Sequence, residues 1–223
     1  MIFTQGCNLR CPWCHNPELI PEKEGNLTWD EVFTFLQSRQ GKLDGVVFTG
    51  GEPLLQTDLA ELIRQVKQIG FKVKLDTNGT LPERLKILLD LATLDYIAMD
   101  VKSDASSFEQ ITGRSLGFKK VLESIRLIMA SGIDYEFRTT LVPGLHTQKV
   151  ISGIMPLIKG ANKYILQNIS GFRTLDPKLD KEKPLTQESM LLYKTLATPY
   201  IQNIQIKLNQ ERSLFKQLST ESF

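Results

Sequence analysis

The chain has three cysteines, and all of them lie within eight consecutive positions, at Cys7, Cys11 and Cys14. Three thiolates can hold three irons of a cubane cluster and leave the fourth iron open to a substrate. Electron-carrier clusters and structural zinc sites normally close with a fourth protein ligand. The odd count also argues against a disulfide scaffold, because one pair would leave a reactive thiol. The spacing therefore predicts an iron–sulfur cluster with one open coordination position.

A zinc site with His15 as its fourth ligand is the alternative for this segment. His15 is adjacent to Cys14, whereas structural zinc sites usually pair two separated ligand couples. The observed spacing instead lets one loop, residues 5–16, curl around a cluster while backbone N–H groups point at its sulfurs. We therefore favour the cluster over zinc.

Charged residues and glycines cluster at the ends of later predicted strands. They are Gly50-Gly51-Glu52, Asp76-Thr77, Asp100-Val101-Lys102 and, on a fifth strand, Arg138. Each has an ordinary structural interpretation: a glycine turn, a first-turn carboxylate, an Asx-type turn or a solvated strand end. Their common position favours a functional interpretation, because the carboxyl ends of parallel strands meet at one rim.

Hydrophobic periodicity predicts the elements that position these residues. Short apolar runs alternate with longer stretches at helical spacing, the pattern of βα units in an α/β protein with a parallel sheet. The predicted strands are Met1–Thr4, Gly45–Thr49, Lys72–Asp76, Tyr96–Val101, Tyr135–Val142, Lys163–Gln167 and Ile201–Ile206. The predicted helices are Thr28–Ser38, Gln56–Ile69, Pro82–Leu91, Phe118–Ser131, Gln148–Lys159 and Thr186–Thr198.

Local signals mark several helix ends. Thr28 and Glu31 form a capping-box pattern, and Pro82 suits a first helical turn. Gly70 and Gly132 each fall just past a periodic stretch and predict helix ends. His146 is predicted to close a loop, with no part in catalysis.

Composition narrows the class of protein. Hydrophobic residues make up 41% and charged residues 23% of the 223 residues, which is ordinary globular usage. The net charge of +2 is too balanced to predict nucleic-acid or anionic-membrane binding. No apolar run approaches the roughly 18 residues of a membrane span, and no signal peptide is evident. We expect a cytoplasmic protein without nucleic-acid or membrane partners.

The chain is predicted to be a single domain over residues 1–223. A stretch rich in Lys and Asp, residues 171–184, is predicted to be a long surface loop. The C-terminal helix and tail follow from about residue 185.

The cysteine segment resembles the signature of radical S-adenosylmethionine (SAM) enzymes, Cys-x3-Cys-x-aromatic-Cys, in which Trp13 supplies the aromatic residue. The resemblance implies a partial (β/α)6 TIM-like barrel and a 4Fe-4S cluster held by the three cysteines. Its unique iron would chelate the amino and carboxylate groups of SAM. An electron from the cluster would then cleave SAM to methionine and a 5′-deoxyadenosyl radical, which abstracts a hydrogen atom.

The same resemblance assigns the other strand ends to the cofactor. Gly50 and Gly51 match the glycine-rich motif whose backbone receives the methionine amino group of SAM, and Glu52 helps to orient that end. Trp13 joins this cofactor-binding set.

Two segments resemble a narrower group, the activating enzymes of glycyl-radical enzymes. In that group, segments like Asp76-Thr77-Asn78-Gly79 and Asp100-Val101-Lys102 surround the methionine carboxylate and the ribose. The resemblance implies that Lys102 and Arg138 offset carboxylate charge. It also implies a monovalent cation shared by Asp76, Thr77 and Asp100 in some members.

Within this group, residues 6–19, Tyr164–Gln167 and Arg173–Pro177 resemble the longer activating proteins of anaerobic ribonucleotide reductase. The implied partners are that glycyl-radical enzyme and a flavodoxin or ferredoxin as electron donor. The alternatives are an activating enzyme of pyruvate formate-lyase or another glycyl-radical enzyme, and a small-molecule enzyme of the 7-carboxy-7-deazaguanine synthase type. Lyase-activating enzymes present a histidine near the end of the sixth strand, where this chain has Gln167-Asn168. A zinc or electron-transfer module is the non-enzymatic alternative.

Overall fold

One parallel sheet organises the protein in a computed structural model that describes residues 1–115, 117–169, 174–181 and 183–208. Its strands are neighbours in the order of the chain, and every pair is parallel. They are β1 (Ile2–Thr4), β2 (Gly45–Gly50), β3 (Lys72–Thr77), β4 (Tyr96–Asp100), β5 (Asp134–Leu141), β6 (Tyr164–Asn168) and β7 (Ile204–Lys207).

Helices connect the strands throughout the described residues. They are α1 (Trp29–Ser38), α2 (Leu59–Gln68), α3 (Pro82–Asp90), α4 (Phe108–Thr112), α5 (Phe118–Ala130), α6 (Gln148–Ile154) and α7 (Gln187–Ala197). Six βα units followed by β7 confirm the predicted α/β class and partial (β/α)6 barrel. None of the described helices has the length and apolar character needed to cross a membrane.

The two faces of the sheet differ in chemistry. On one face, Phe48, Leu75 and Ile97 stand side by side in the strand register and are fully buried. They belong to one hydrophobic core with residues of the helices, such as Ile63 of α2 and Ile125 of α5. Strand order equals chain order, so right-handed crossovers place the helices on this face.

The opposite face, called the inner face below, is charged. It carries Lys74, Asp76, Tyr96, Asp100, Glu136, Arg138 and Lys163. Side chains alternate between faces along a strand, so the residues between the apolar positions point here. Among the described residues, the edge strands β1 and β7 do not pair with each other. The barrel is therefore open, and its inner face is not an apolar core.

The predicted helix ends are confirmed where capping chemistry marks them. Thr28 Oγ1 accepts a hydrogen bond from Glu31 N, and Glu31 Oε2 accepts one from Thr28 N at 2.7 Å. Pro82 opens α3. Gly70 and Gly132, with φ of 93° and 72°, follow the ends of α2 and α5.

Two helix boundaries differ from the prediction for local reasons. α2 begins at Leu59 and not at Gln56, because Gln56 has an extended backbone with ψ of 122° after a short 3-10 helix, Pro53–Leu55. α6 ends at Ile154 and continues only as a 3-10 helix, Met155–Ile158. Pro156 lies in that turn, where its ring and missing N–H oppose an α-helix.

The segment predicted as a surface loop contains packed structure. Its described part, Thr174–Lys181 and residues 183–184, includes a 3-10 helix, Pro177–Lys181. Leu175 N donates to Cys14 O at 3.1 Å, and Asp176 N donates to Pro12 O at 2.8 Å. Most described residues of this segment are exposed or half-buried, and the two backbone bonds join it to the cysteine loop. Arg173 and the tail beyond residue 208 lie outside the described residues.

Candidate active site

A cavity of about 220 Å³ lies at the carboxyl ends of β1 to β5. Every predicted site residue lines it, from both the cysteine loop and the strand ends. These residues are Cys7, Cys11, Trp13, Cys14, Gly50, Gly51, Glu52, Asp76, Thr77, Asp100, Lys102 and Arg138. Residues separated by more than 130 positions in the sequence, such as Cys7 and Arg138, thus line the same cavity.

The cysteine loop is shaped by its own turn and by backbone bonds from its neighbours. Cys14 N donates to Cys11 O at 3.0 Å, and Cys7 N donates to Ile20 O at 3.1 Å. On another side, Arg10 N donates to Thr112 O, the end of α4, at 2.8 Å. With the contacts from residues 175 and 176, these bonds hold the loop from several directions.

The three thiols share an enclosed setting. Cys11 is buried, whereas Cys7 and Cys14 are half-buried. Burial raises the pKa of Cys11 to about 12, although the nearby Lys102 ammonium opposes the shift. Burial also raises the pKa of Cys7, against a hydrogen bond from the Leu9 backbone. Metal binding at Cys7 and Cys11 must therefore release protons.

Gly50 and Gly51 bring the end of β2 against the cysteine loop. Gly51 N donates to Thr4 O at 3.0 Å, and the following residue, Glu52, donates its N–H to Gly6 O at 2.8 Å. A Cβ on Gly51 would overlap Gly6 O, and one on Gly50, whose φ is 121°, would overlap Thr4 N. Only glycine permits this close approach of two backbones.

Glu52 is fully buried and surrounded by donors. Its Oε1 accepts from Thr77 Oγ1 at 2.8 Å and from Leu54 N at 3.2 Å, and its Oε2 accepts from Asn78 N at 2.7 Å. Burial raises the pKa of Glu52 to about 7, and the three hydrogen bonds offset only part of that shift. The carboxylate ties the glycine turn after β2 to the end of β3.

Charged side chains of β3, β4 and β5 form a chain across the cavity wall. Arg138 Nη1 lies 3.4 Å from Asp76 Oδ2, and its Nε donates to Asp100 Oδ1 at 2.9 Å. Lys102 Nζ donates to Asp100 Oδ2 at 3.2 Å. Burial alone raises the pKa of Asp100, but Arg138 and Lys102 bring it down to about 2. The same pairing raises the pKa of both cations, which stay charged.

Lys102 also contacts the cysteine loop. Its Nζ lies 4.8 Å from the centre of the Trp13 ring, a cation–π arrangement. Trp13 Nε1 donates to Ile111 O of α4 at 3.3 Å, so the ring is fixed from a second side. The segment after β4 therefore contacts the cysteine loop through the Lys102 ammonium and the Trp13 indole.

Several residues that hold this site were not predicted. His146 is 2% exposed, and its ring meets Trp13 edge-on, with centres 6.1 Å apart. Helix α4 also supports the loop, because Gly113 at its end has a φ of 68° and lies so close to the loop that a Cβ there would overlap Arg10 O. Asn78 Nδ2 donates to Asn8 Oδ1 at 3.0 Å. Only Asn78 carried a sequence signal, as part of an Asx-type turn.

The residues present fit a cluster with an open iron and an amino-acid nucleotide. Three thiols line the same cavity, and thiolates are the ligands by which proteins hold iron–sulfur clusters. The cavity also presents the backbone of Gly50 and Gly51 and the cations of Lys102 and Arg138, a type of group that pairs with carboxylates.

Comparisons with known proteins agree with this chemistry. A profile of the Radical SAM superfamily matches residues 1–151. Two proteins of Methanocaldococcus jannaschii, each named "Putative glycyl-radical enzyme activating enzyme", are similar along nearly the whole chain. One is 33% identical over 93% of this chain and 88% of its own length, and the other is 31% identical over 95% and 81%.

Solved structures share the fold. A domain of pyruvate-formate lyase-activating enzyme from Bacteroides vulgatus superposes with a TM-score of 0.60 at 20% identity, covering 74% of this chain and 100% of that domain. Streptococcus suis SuiB bound to its precursor peptide SuiA gives 0.72 at 14% identity, over 99% of this chain and 51% of SuiB. The chain therefore belongs to the radical SAM superfamily, within the family of glycyl-radical enzyme activating enzymes, and is an enzyme that uses a 4Fe-4S cluster and SAM.

Proposed function

We propose that this enzyme installs a glycyl radical on an anaerobic ribonucleoside-triphosphate reductase. One observation carries the proposal: the three cysteines and the charged ends of β3, β4 and β5 line one cavity. When bound there, the cluster and SAM supply the 5′-deoxyadenosyl radical that abstracts a hydrogen atom from the partner's glycine.

The cysteine loop holds the cluster in this proposal. The thiols of Cys7, Cys11 and Cys14 would be its ligands, and three ligands would leave one iron without a protein ligand. The turn after β2 receives the amino-acid end of SAM, since the absence of side chains at Gly50 and Gly51 exposes backbone there. Glu52 positions that turn through its bonds to the end of β3.

The charged wall orients the rest of SAM. Lys102 has three N–H donors, and Asp100 takes one of them, so others are left for the carboxylate of the methionine moiety. Arg138 balances Asp76 and Asp100 and adds positive charge to the same wall. Asp76, Thr77 and Asp100 border the ribose, and the Trp13 ring forms the apolar border of the cavity.

Three features support a macromolecular substrate and, among these, the reductase. The sheet does not close between β1 and β7 in the described residues, which favours entry of a loop of another protein. The relatives from M. jannaschii are named for activation of glycyl-radical enzymes. Finally, the cysteine run and the segment after β6 resemble the reductase-activating type, and β6 ends in Gln167-Asn168, without a histidine. The electron donor proposed is a flavodoxin or ferredoxin.

An anaerobic pairing assay tests the proposal. The reconstituted enzyme, reduced by dithionite, is incubated with SAM and either the reductase or pyruvate formate-lyase. We expect a glycine-centred doublet in electron paramagnetic resonance with the reductase only, together with stoichiometric 5′-deoxyadenosine. A doublet with the lyase alone would show that the partner is wrong.

Variants of the ligands control the assay. Replacement of Cys7, Cys11 or Cys14 by alanine is expected to abolish 5′-deoxyadenosine formation, because three sulfurs are needed to leave one iron open. Undiminished cleavage of SAM in any of the three would contradict the ligand assignment.

A further inference from the structure

His146 lies where three parts of the active site meet. It follows β5 in the loop before α6, and its side chain is buried between the β4 end and the cysteine loop. Its own N–H donates to Val142 O at 2.9 Å, and its carbonyl accepts from the Tyr193 hydroxyl of α7 at 2.7 Å. The backbone on both sides of the imidazole is thus fixed.

Both ring nitrogens are used by backbone groups. Val142 N lies 3.0 Å from Nδ1, and because a main-chain N–H is always a donor, Nδ1 must be the acceptor. The ring proton is therefore on Nε2, which lies 2.9 Å from Lys102 O and donates to it. Burial lowers the pKa of His146 to about 4, consistent with a neutral ring in this place.

Through the His146 ring, these two bonds connect Val142, which follows β5, to Lys102, whose ammonium faces the cavity. Lys102 follows β4, whose register with β5 ends at the pair Asp100 and Arg138. Its side chain pairs with Asp100 and lies over Trp13, while the His146 ring contacts Trp13 from the edge. One imidazole thus touches the backbone of Lys102 and the ring over which its ammonium lies.

We infer that His146 is a positioning residue for SAM binding, acting through the Lys102 carbonyl and the Trp13 ring. The inference rests on the proposed function, in which Lys102 and Trp13 border SAM. The Nε2–H bond sets where the Lys102 backbone lies, and the edge contact sets the tilt of Trp13. Loss of the His146 Nε2–H donor would let Lys102 and Trp13 shift, although neither of these residues is itself substituted.

Two substitutions separate the two bonds of the ring. The amide nitrogen of His146→Gln reaches the position of Nε2 and keeps a donor for Lys102 O. The amide of His146→Asn reaches only the position of Nδ1, so it keeps an acceptor for Val142 N and loses the donor. His146→Leu removes both. Tyr193→Phe is the matched control, since it loses the bond to the His146 carbonyl and leaves the imidazole intact.

The measurements use the full, cluster-loaded chain. Iron content and thermal midpoint report folding, and equilibrium dialysis with radiolabelled SAM gives the dissociation constant. The change that SAM causes in the electron paramagnetic resonance signal of the reduced cluster reports the geometry of binding. Cleavage of SAM at saturating concentration, without a partner protein, separates binding from turnover.

The expected result is a rank order in SAM affinity. His146→Gln stays within about threefold of the wild type, whereas His146→Asn and His146→Leu weaken binding about tenfold, the effect of one lost hydrogen bond. Their spectra with SAM differ from the wild type at equal iron content. Tyr193→Phe lowers the thermal midpoint and leaves SAM affinity unchanged.

Equal SAM affinity in His146→Gln and His146→Asn would overturn the inference, as would wild-type affinity in His146→Leu. The variant Lys102→Met distinguishes its failure from that of the proposed function. If Lys102→Met binds SAM as the wild type does, the proposed role of the charged wall fails, and the inference fails with it. If Lys102→Met loses affinity but the Gln and Asn variants do not differ, only the inference about His146 fails.

Discussion

Glu52 is a buried carboxylate whose ionisation should change the stability of the protein. Its pKa is about 7 in the folded chain and 4.5 in its ordinary state. Between these values the folded state binds more protons than the unfolded state, so the free energy of unfolding decreases as pH rises from 4.5 to 7. We expect a loss of roughly 3 kcal/mol in the wild type over this range, absent in Glu52→Gln. Anaerobic denaturant titrations at several pH values measure it.

Glu136 gives the opposite dependence and serves as the comparison. Burial raises its pKa, but Lys163 at 3.1 Å, the Tyr96 hydroxyl at 2.9 Å and Lys74 hold it below the usual range. Its contribution to stability is therefore present above the unfolded pKa and lost as the pH falls. Relative to the wild type, Glu136→Gln should lower the free energy of unfolding more at neutral pH than at acidic pH. If Glu52→Gln and Glu136→Gln changed the pH dependence of the free energy of unfolding in the same direction, the local environments would not control the pKa values of the two carboxylates.

Lys102 is expected to act in binding and not in folding alone. Lys102→Met keeps the length of the side chain but removes the ammonium that faces the cavity, and we expect SAM affinity to fall at least about tenfold. Lys163→Met is the matched control, because Lys163 is ion-paired on the inner face but does not line the cavity. A similar loss of SAM affinity in both variants would indicate a general change in charge.

Cysteine spacing, the residues at strand ends and the resemblance to radical SAM enzymes together predicted 12 of the residues that line the cavity. Cysteine spacing and carboxylates at strand ends are local signals, and the parallel sheet brings them together. His146 had no such signal, since its importance comes from contact with Lys102, 44 residues earlier. The sequence around a loop histidine is the same whether or not a distant carbonyl accepts a hydrogen bond from its ring, so the sequence could not predict this contact.

At the scale of elements, the close contact between the β2 turn and the cysteine loop should be sensitive to a single methyl group. Gly51→Ala is expected to destabilise the protein by about 3 kcal/mol and to reduce cluster content, because its Cβ would overlap Gly6 O. Gly25→Ala is the control, since a Cβ there meets only Leu27 O at an ordinary 3.6 Å. Iron analysis and thermal unfolding compare them. Full iron content in Gly51→Ala would contradict the proposed contact.

Helix α4 should support the cluster loop through Gly113. Both Gly113 and Gly132 have a left-handed backbone, with φ of 68° and 72°, so alanine costs about 1 kcal/mol of strain at each. Only at Gly113 would the added Cβ also overlap Arg10 O; Gly132 has open space. We expect Gly113→Ala, and not Gly132→Ala, to lower cluster content. Equal iron content in the two variants would exclude this role of α4.

Strands were easier to predict from the sequence than short helices. Apolar runs with turn signals defined all seven strands to within a few residues, because burial on the helix-covered face requires them. Five-residue α4 is too short to show a period, and its support comes from packing of Phe108 and Ile111 in the core. Helix α4 is stabilised by contacts with residues distant in the sequence, and a short stretch of sequence carries no information about such contacts.

At the scale of the molecule, the chain is expected to unfold in one step. The larger of two hydrophobic clusters in the described residues extends from Leu36 in α1 to Ile204 in β7, and the smaller one joins Leu9, Cys11 and Trp13 of the cysteine loop to Val142 and Ile169. A core shared by the first and last elements favours cooperative unfolding. Denaturation followed by far-ultraviolet circular dichroism and by Trp29 fluorescence, in a Trp13→Phe background, should give one midpoint. Two separate midpoints would contradict the predicted single domain.

The extent of the barrel was only partly predictable. Six βα units follow from the pattern, but whether a sheet closes depends on pairing between its first and last strands, which no local pattern specifies. The partial barrel was predicted from the resemblance to radical SAM enzymes. The charged residues at alternate positions agree with it, because a closed barrel of this size fills its interior with packed side chains. Here those positions carry Lys74, Glu136 and Lys163.

The charged inner face also determines which positions of the described chain tolerate substitution. Lys74 and Lys163 are partly exposed there and lie outside the hydrophobic core, so replacing either should cost less than a substitution in the core. Their shared partner Glu136 is buried, so replacing both at once would leave a carboxylate without a lysine and should cost considerably more. The charge of this face can therefore be altered one lysine at a time while the helical layer stays unchanged.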